Sequence, residues 1–139
     1  MLADKSGELI TSEFIAKSVT TNPVVIRRVL GDLRKAGLVE SHSGNRGGWR
    51  LSKSAEMITI KDAYLAVREG SLFGLPPQNP NPHCQIGARI GAVVNKLFRE
   101  SETSLLEYFQ TATIASLFRN IEIAHDTAEG ENCPKRRKV

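Results

Sequence analysis

The stretch TSEFIAKSVTTNPVVIRRVLGDLRKAGLVESHSGNRGGWRL, residues 11–51, decides the fold. It reads as a helix, a short turn, a second helix that stops at a glycine, and a glycine-rich hairpin. Ser12 is placed to cap the first helix, with Glu13 in the first turn, where the helix dipole favours an acid. Phe14, Ile15, Ala16 and Val19 supply an apolar face, and Thr20-Thr21 make the turn. Asn22-Pro23 starts a second helix: asparagine accepts from the free backbone donors, and proline is pre-set for the first helical position. Ile26, Val29, Leu30 and Leu33 then recur at helical spacing, which predicts one buried stripe. Arg27, Arg28, Gly31 and Lys35 project from the other side. Gly37 suits a left-handed C-terminal cap. Residues 38–41 read as a short strand, Gly44, Gly47 and Gly48 as a hairpin tip, and Trp49 and Leu51 alternate on the return strand.

That order is a winged helix-turn-helix, whose second helix enters the DNA major groove. The fold class expected is mainly α with a small β-hairpin wing, plus a long dimerisation helix. Arginine pairs with guanine edges or phosphates and lysine prefers phosphates. Val24 is placed to touch a thymine methyl group, and Arg46 in the hairpin tip to reach a minor groove. The expected DNA-binding set is Thr21, Asn22, Val24, Arg27, Arg28, Lys35, Asn45, Arg46 and Arg50. Taken singly, each arginine is as readily an ordinary solvated surface charge. Taken together, the bases cluster on the one face that this motif presents to DNA.

Beyond the wing, Thr59 is placed to cap a helix over 60–69, ended by Gly70. The loop SLFGLPPQNPNP follows, and its four prolines rule out a regular helix. Leu72, Phe73 and Leu75 suggest that this loop is pinned down. Over 84–110 the periodicity is helical again, on a helix about 40 Å long at 1.5 Å per residue. Its broad apolar stripe, with Gly87 and Gly91 four apart, points to pairing with a second copy; the alternative is a helix folded back onto its own domain. A further short helix is expected over 113–121. The domain division is therefore a winged domain at 1–70, a proline-rich connection at 71–84, the dimerisation and short helices at 85–121, and a polar basic tail at 122–139. The tail ends PKRRKV and reads as solvated chain; the alternatives are added non-specific DNA affinity and, in a eukaryotic cell, a nuclear import signal.

The residues TSEFIAKSVTTNPVVIRRVLGDLRKAGLV, the wing GNRGGWRL, the segment ITIKDAYLAV and the later NPNPHCQIG resemble the Rrf-two (Rrf2) family of bacterial winged-helix regulators. The likeness runs over about residues 9–118 and is strongest for the YwnA-like subgroup, which lacks the iron–sulfur cysteines of other branches. It implies a homodimer built on the long helix and binding to double-stranded DNA. Two departures stand out. Family members begin with an extra apolar helix, whereas only MLADKSGEL precedes the motif here. The resemblance therefore predicts an exposed back of the winged domain, covered by sequence upstream or by the dimer partner. Cluster-binding relatives space three cysteines C-x5-C-x5-C. Here Cys84 is followed by Ile90 and Lys96 at those places, so no cofactor and no metal is expected.

Composition fits a small cytoplasmic regulator. There are 19 basic and 15 acidic residues, a net charge of +4 that permits nucleic acid. No apolar run is long enough to span a bilayer. Two cysteines do not make a disulfide scaffold. Cys84 follows His83 and opens a helix, where a dipole lowers a thiol pKa. It is the expected regulatory thiol, with a small molecule or oxidant as effector; the alternative is an inert small residue. Cys133 in the tail is a conceivable resolving partner. A mononuclear site from His83, Cys84, His125 and Cys133 matches no standard zinc spacing. With no phosphate loop, paired carboxylates or credible nucleophile pair, an enzyme is not expected. The function expected is a sequence-specific transcriptional regulator, acting as a repressor at a near-palindromic operator. The other reading is a winged-helix protein-interaction module without specific DNA binding.

Overall fold

The computed structural model describes residues 2–3, 7–44, 46–74, 81 and 83–128, the last four by backbone alone. Helix α1 (Ser12–Ser18) and helix α2 (Pro23–Lys35) form the helix-turn-helix. Strands β1 (Val39–His42) and β2 (Gly48–Leu51) form the antiparallel hairpin, in the register Val39↔Leu51, Glu40↔Arg50, Ser41↔Trp49 and His42↔Gly48. A single 3₁₀ turn (Ala55–Met57) leads into α3 (Ile60–Val67). The long helix α4 (Gly87–Thr111) and α5 (Ile114–Ala128) complete the chain. Among the described residues no helix is long and apolar enough to cross a membrane.

Local chemistry explains most of these boundaries. Asn22 caps α2, its Oδ1 accepting from the Val24 N–H at 2.8 Å, with Pro23 next as expected. Gly37 takes φ +70° after the last turn, donating its N–H to the Arg34 carbonyl at 2.9 Å. Thr59 opens α3 with a reciprocal capping box: its hydroxyl accepts from the Asp62 N–H at 3.1 Å, and Asp62 accepts from the Thr59 N–H at 2.9 Å. That backbone donor holds the Asp62 carboxyl below its ordinary pKa.

The cap of α1 is Thr11, not Ser12: the Thr11 hydroxyl accepts from the Phe14 N–H at 3.2 Å, and Ser12 is already helical and buried. The shift has a tertiary cause. Ile10 pairs with Trp49 of β2 through two backbone hydrogen bonds, of 3.0 and 2.9 Å, and so holds the chain extended up to residue 11.

The core of the winged unit consists of Ile10, Ala16, Leu30, Leu38, Val39 and Ile58. On α2 the burial centres on Leu30, with Ile26 and Leu33 half-buried. Val29, expected in the same stripe, lies about 100° round the helix from Leu30 and is exposed. Phe14 of α1 and Val19, the C-cap after it, are likewise exposed, against the expected apolar face. Beside this core an open apolar cavity of about 230 Å³ is lined by Leu33, Leu38, Leu51, Ile58, Ala63 and Ile114.

The long helix joins this unit by its C-terminal half. Tyr64 meets Phe109 edge-on, Lys61 donates to the Gln110 side chain at 2.8 Å, and Arg68 pairs with Glu102. A bridge between Thr59 and Thr113 ties the starts of α3 and α5, with Ile60 N–H on the Ala112 carbonyl and Ile114 N–H on the Ile58 carbonyl, both 2.9 Å. The loop after α3 is pinned where Phe73 stacks on Phe98, with centroids 4.7 Å apart. Leu75 and the run 76–80 lie outside the described residues. Helix α4 starts at Gly87, not Cys84, and α5 runs to Ala128, past the expected end at 121, since no breaker intervenes before Gly130.

Candidate nucleic-acid interface

Helix α2 presents its exposed face away from Leu30. Val24 is 63% exposed, Arg27, Arg28 and Lys35 flank it along the same helix, and Gly31 leaves open space between them. Each cation has an acid at hand. Arg27 donates to Glu13 at 3.1 Å, Arg28 pairs with Glu69 beyond the end of α3, and Lys35 donates to Asp32 at 2.7 Å. The Glu13 carboxyl lies below its ordinary pKa chiefly through its own backbone N–H, and the Asp32 carboxyl through Lys35. These pairs are solvent-exposed, so solvent screening weakens them and they exchange readily for other anions.

The wing divides the predicted residues. Arg46 is exposed at its tip, and Asn45 lies outside the described residues. Arg50 is committed within the sheet, where it pairs with Glu40 directly opposite, and His42 approaches the same carboxylate at 3.3 Å. Hydrogen bonding from Arg50, then from His42, holds the Glu40 carboxyl below its ordinary pKa. Thr21 is exposed in the turn, while Asn22 serves as the cap.

Arg34 is a contributor that pattern reading passes over. From the last turn of α2 it donates to the Ser41 hydroxyl at 3.0 Å and lies 5.9 Å from the Trp49 ring centroid. It thereby links recognition helix to wing. Its only sequence signal is an arginine on one element and a tryptophan on another, and a register is needed to bring them together.

Cys84 is exposed and free, three residues ahead of α4. Its sulfur accepts from the Gly87 N–H at 3.4 Å; that donor first, and Ile86 N–H second, lower the thiol pKa. Cys133 lies outside the described residues, as does the His125 side chain. On the free flank of α4, Ile86, Ile90, Val93 and Leu97 are all exposed.

The Rrf2 family model, described as an iron-dependent transcriptional regulator, matches residues 1–120. The helix-turn-helix-type regulator YwnA of Bacillus subtilis (strain 168) is 35% identical over 98 residues, 70% of this chain and 73% of that protein. A solved transcriptional regulator from Lactobacillus plantarum superimposes with a TM-score of 0.73 over 92% of this chain and 90% of that one, at 22% identity. CymR, the global cysteine regulator of B. subtilis, gives 0.60 over 84% and 83%, also at 22% identity. The two structural likenesses show the winged-helix fold.

Among the described residues no three His, Cys, Asp or Glu side chains are grouped to hold a metal. Position 90 is an exposed isoleucine, and Lys96 carries a charge that approaches Glu100 at 3.7 Å. These residues do not fit a cluster held by three thiolates of one chain. With its winged helix-turn-helix, its exposed basic α2 and its match over residues 1–120, the chain belongs to the Rrf2 family of DNA-binding transcriptional regulators, which are not enzymes.

Proposed function

We propose that the chain acts as a homodimer at a near-palindromic operator and represses by occluding it. The observation that carries this reading is the exposed flank of α4. Ile86, Ile90, Val93 and Leu97 follow one another at spacings of four, three and four, the repeat by which one helix seats on another. Ile86 is 74% exposed and Val93 63%, and no element of the described chain covers them. Two-fold pairing supplies the cover. It also sets two copies of α2 about 34–36 Å apart, or a multiple of that, which is the spacing of half-sites. In each half-site Val24, Arg27, Arg28 and Lys35 of α2, with Thr21 and Asn22 at its start, face the major groove. Arg46 reaches outward from the wing tip to the backbone or the minor groove, and Asn45 belongs to the same proposed contact set. Arg50 contributes less directly, through its pair with Glu40. Phosphate contacts make the affinity salt-sensitive.

Cys84 stands where the connection enters α4. Oxidation or a mixed disulfide there alters the start of the pairing helix, and with it the spacing of the recognition helices. The setting is a reducing cytoplasm, and an oxidant or a small electrophile is the effector.

Selection of fragments of the source genome by the purified protein, reduced and then mildly oxidised, tests both parts. One enriched near-palindrome supports the operator, and a change on oxidation that Cys84→Ser abolishes supports the thiol. No enriched site in either state turns the reading towards a winged fold that serves a protein partner. A chain that sediments as a monomer at micromolar concentration overturns the dimer.

A further inference from the structure

Two side chains at the start of α2 have no use inside the fold. Val24 is 63% exposed and Val25 51% exposed, at the second and third helical positions. Valine is a weaker helix former than most residues, so both lower the helix's own stability without burial to offset it. At about 100° per residue, Val24 falls in one row with Arg28, Gly31 and Lys35, turned away from Leu30. A side chain at Gly31 would meet nothing within 4 Å, so the chain itself leaves this row uncovered.

Of the polar groups at the same tip, Asn22 is committed to the cap, and the exposed Thr21 hydroxyl is placed for a phosphate. Reading adenine in the bidentate manner requires an asparagine to accept from N6–H and donate to N7 together. The Asn22 oxygen accepts from the Val24 N–H at 2.8 Å, which holds the amide against the helix start, and turning it flat onto a base edge removes the cap of the recognition helix. What faces the base edges at the tip is a small apolar surface, with Arg27 and Arg28 one turn along the helix and Lys35 at its far end. In a groove walled by phosphates, the apolar group on the base edges is the 5-methyl of thymine.

We infer that Val24, with Val25 beside it, reads thymine 5-methyl groups, so that each half-site carries thymine where the start of α2 enters the major groove. The inference rests on the operator reading above and specifies its chemistry. The cations hold the phosphates on either side, the valines exclude water from the methyl, and Asn22 keeps its capping role.

The test uses the full chain and the operator recovered by genomic selection. Each thymine of one half-site is replaced singly by deoxyuridine, which removes the methyl and leaves every hydrogen-bonding group. Binding by the native protein is expected to weaken about fourfold at one or two positions, the effect of burying one methyl group. Val24→Ala or Val25→Ala weakens binding to the thymine operator by a similar factor, and that variant no longer distinguishes thymine from uracil at its position. Alanine is the better helix former, so both variants keep the fold, which circular dichroism checks. A specific operator at which uracil is neutral everywhere overturns the inference and leaves the operator reading intact. A uracil effect that persists unchanged in both variants also overturns it, because another residue then reads the methyl. If alanine at either position abolishes self-association while uracil is neutral, the face belongs to a protein partner and the inference is wrong. Absence of any specific site is the distinct outcome in which the operator reading itself fails.

Discussion

Tyr64 of α3 meets Phe109 of α4 edge-on, with ring centroids 5.5 Å apart and planes at 69°. This pair, flanked by Arg68–Glu102 and Lys61–Gln110, sets the direction in which the long helix leaves the winged unit. Both rings are half-buried. Phe109→Ala is therefore expected to destabilise the chain by about 2 kcal/mol, less than for a fully enclosed phenylalanine. Phe109→Leu should recover part of that. Urea denaturation reads both, and a Phe109→Ala midpoint equal to that of the native chain would mean that the ring contact carries nothing.

The turn of the helix-turn-helix holds a β-branched residue in the left-handed region, Thr20 at φ +54°. That conformation costs a non-glycine residue about 1–2 kcal/mol. Glycine removes the cost but loses about 0.5–1 kcal/mol through the freer unfolded chain. Thr20→Gly is therefore expected to stabilise by about 0.5–1 kcal/mol, seen as a higher denaturation midpoint with unchanged helix content. A lower midpoint would show that the threonine side chain stabilises more than its backbone strains.

At the wing the requirement is for space. A Cβ on Gly47 would overlap the His42 carbonyl oxygen and come within 2.9 Å of the Gly44 carbonyl. Gly47→Ala should force the hairpin open and cost about 1–3 kcal/mol, the range for overpacking. Amide exchange at Ser41 and Trp49 should quicken while exchange across α4 stays the same. Unchanged protection at Trp49 would refute the steric account.

Arg28→Ala removes the cation next to Val24 in its row, and frees Glu69 to repel phosphate. Specific DNA affinity is expected to fall by about 1–3 kcal/mol, or roughly 5- to 150-fold. Sedimentation should be unaltered, because Arg28 sits on α2 and is not one of the exposed apolar residues on the flank of α4. If affinity holds, the α2 face is an ordinary solvated surface.

The amides of Gly87 and Ile86 favour the Cys84 thiolate. A depressed folded pKa contributes stability above the unfolded value, and that contribution is lost as pH falls through the folded value. Alkylation follows the thiolate. In a Cys133→Ser chain, the pH midpoint of alkylation should be lower when folded than in concentrated urea. Coincident midpoints would remove the electronic basis for a sensor.

The sequence by itself determined the elements whose signals lie within a few residues. Asn22-Pro23 starts α2, Gly37 ends it, Thr59 caps α3, and the glycines of 44–48 turn the wing, because caps and turns are made by neighbouring backbone groups. The basic face of α2 was legible for the same reason, since helical periodicity orders side chains without outside help. Tertiary structure alone decided the matters that depend on residues far apart. Ile10 pairing with Trp49 moved the α1 cap to Thr11, and the position of Glu40 across the sheet drew Arg50 into the wing. The docking of Phe109 on Tyr64 sent one half of α4 against its own domain and left the other half free. The periodicity of α4 showed that both halves are apolar. Which half is covered depends on a partner surface that no local pattern encodes.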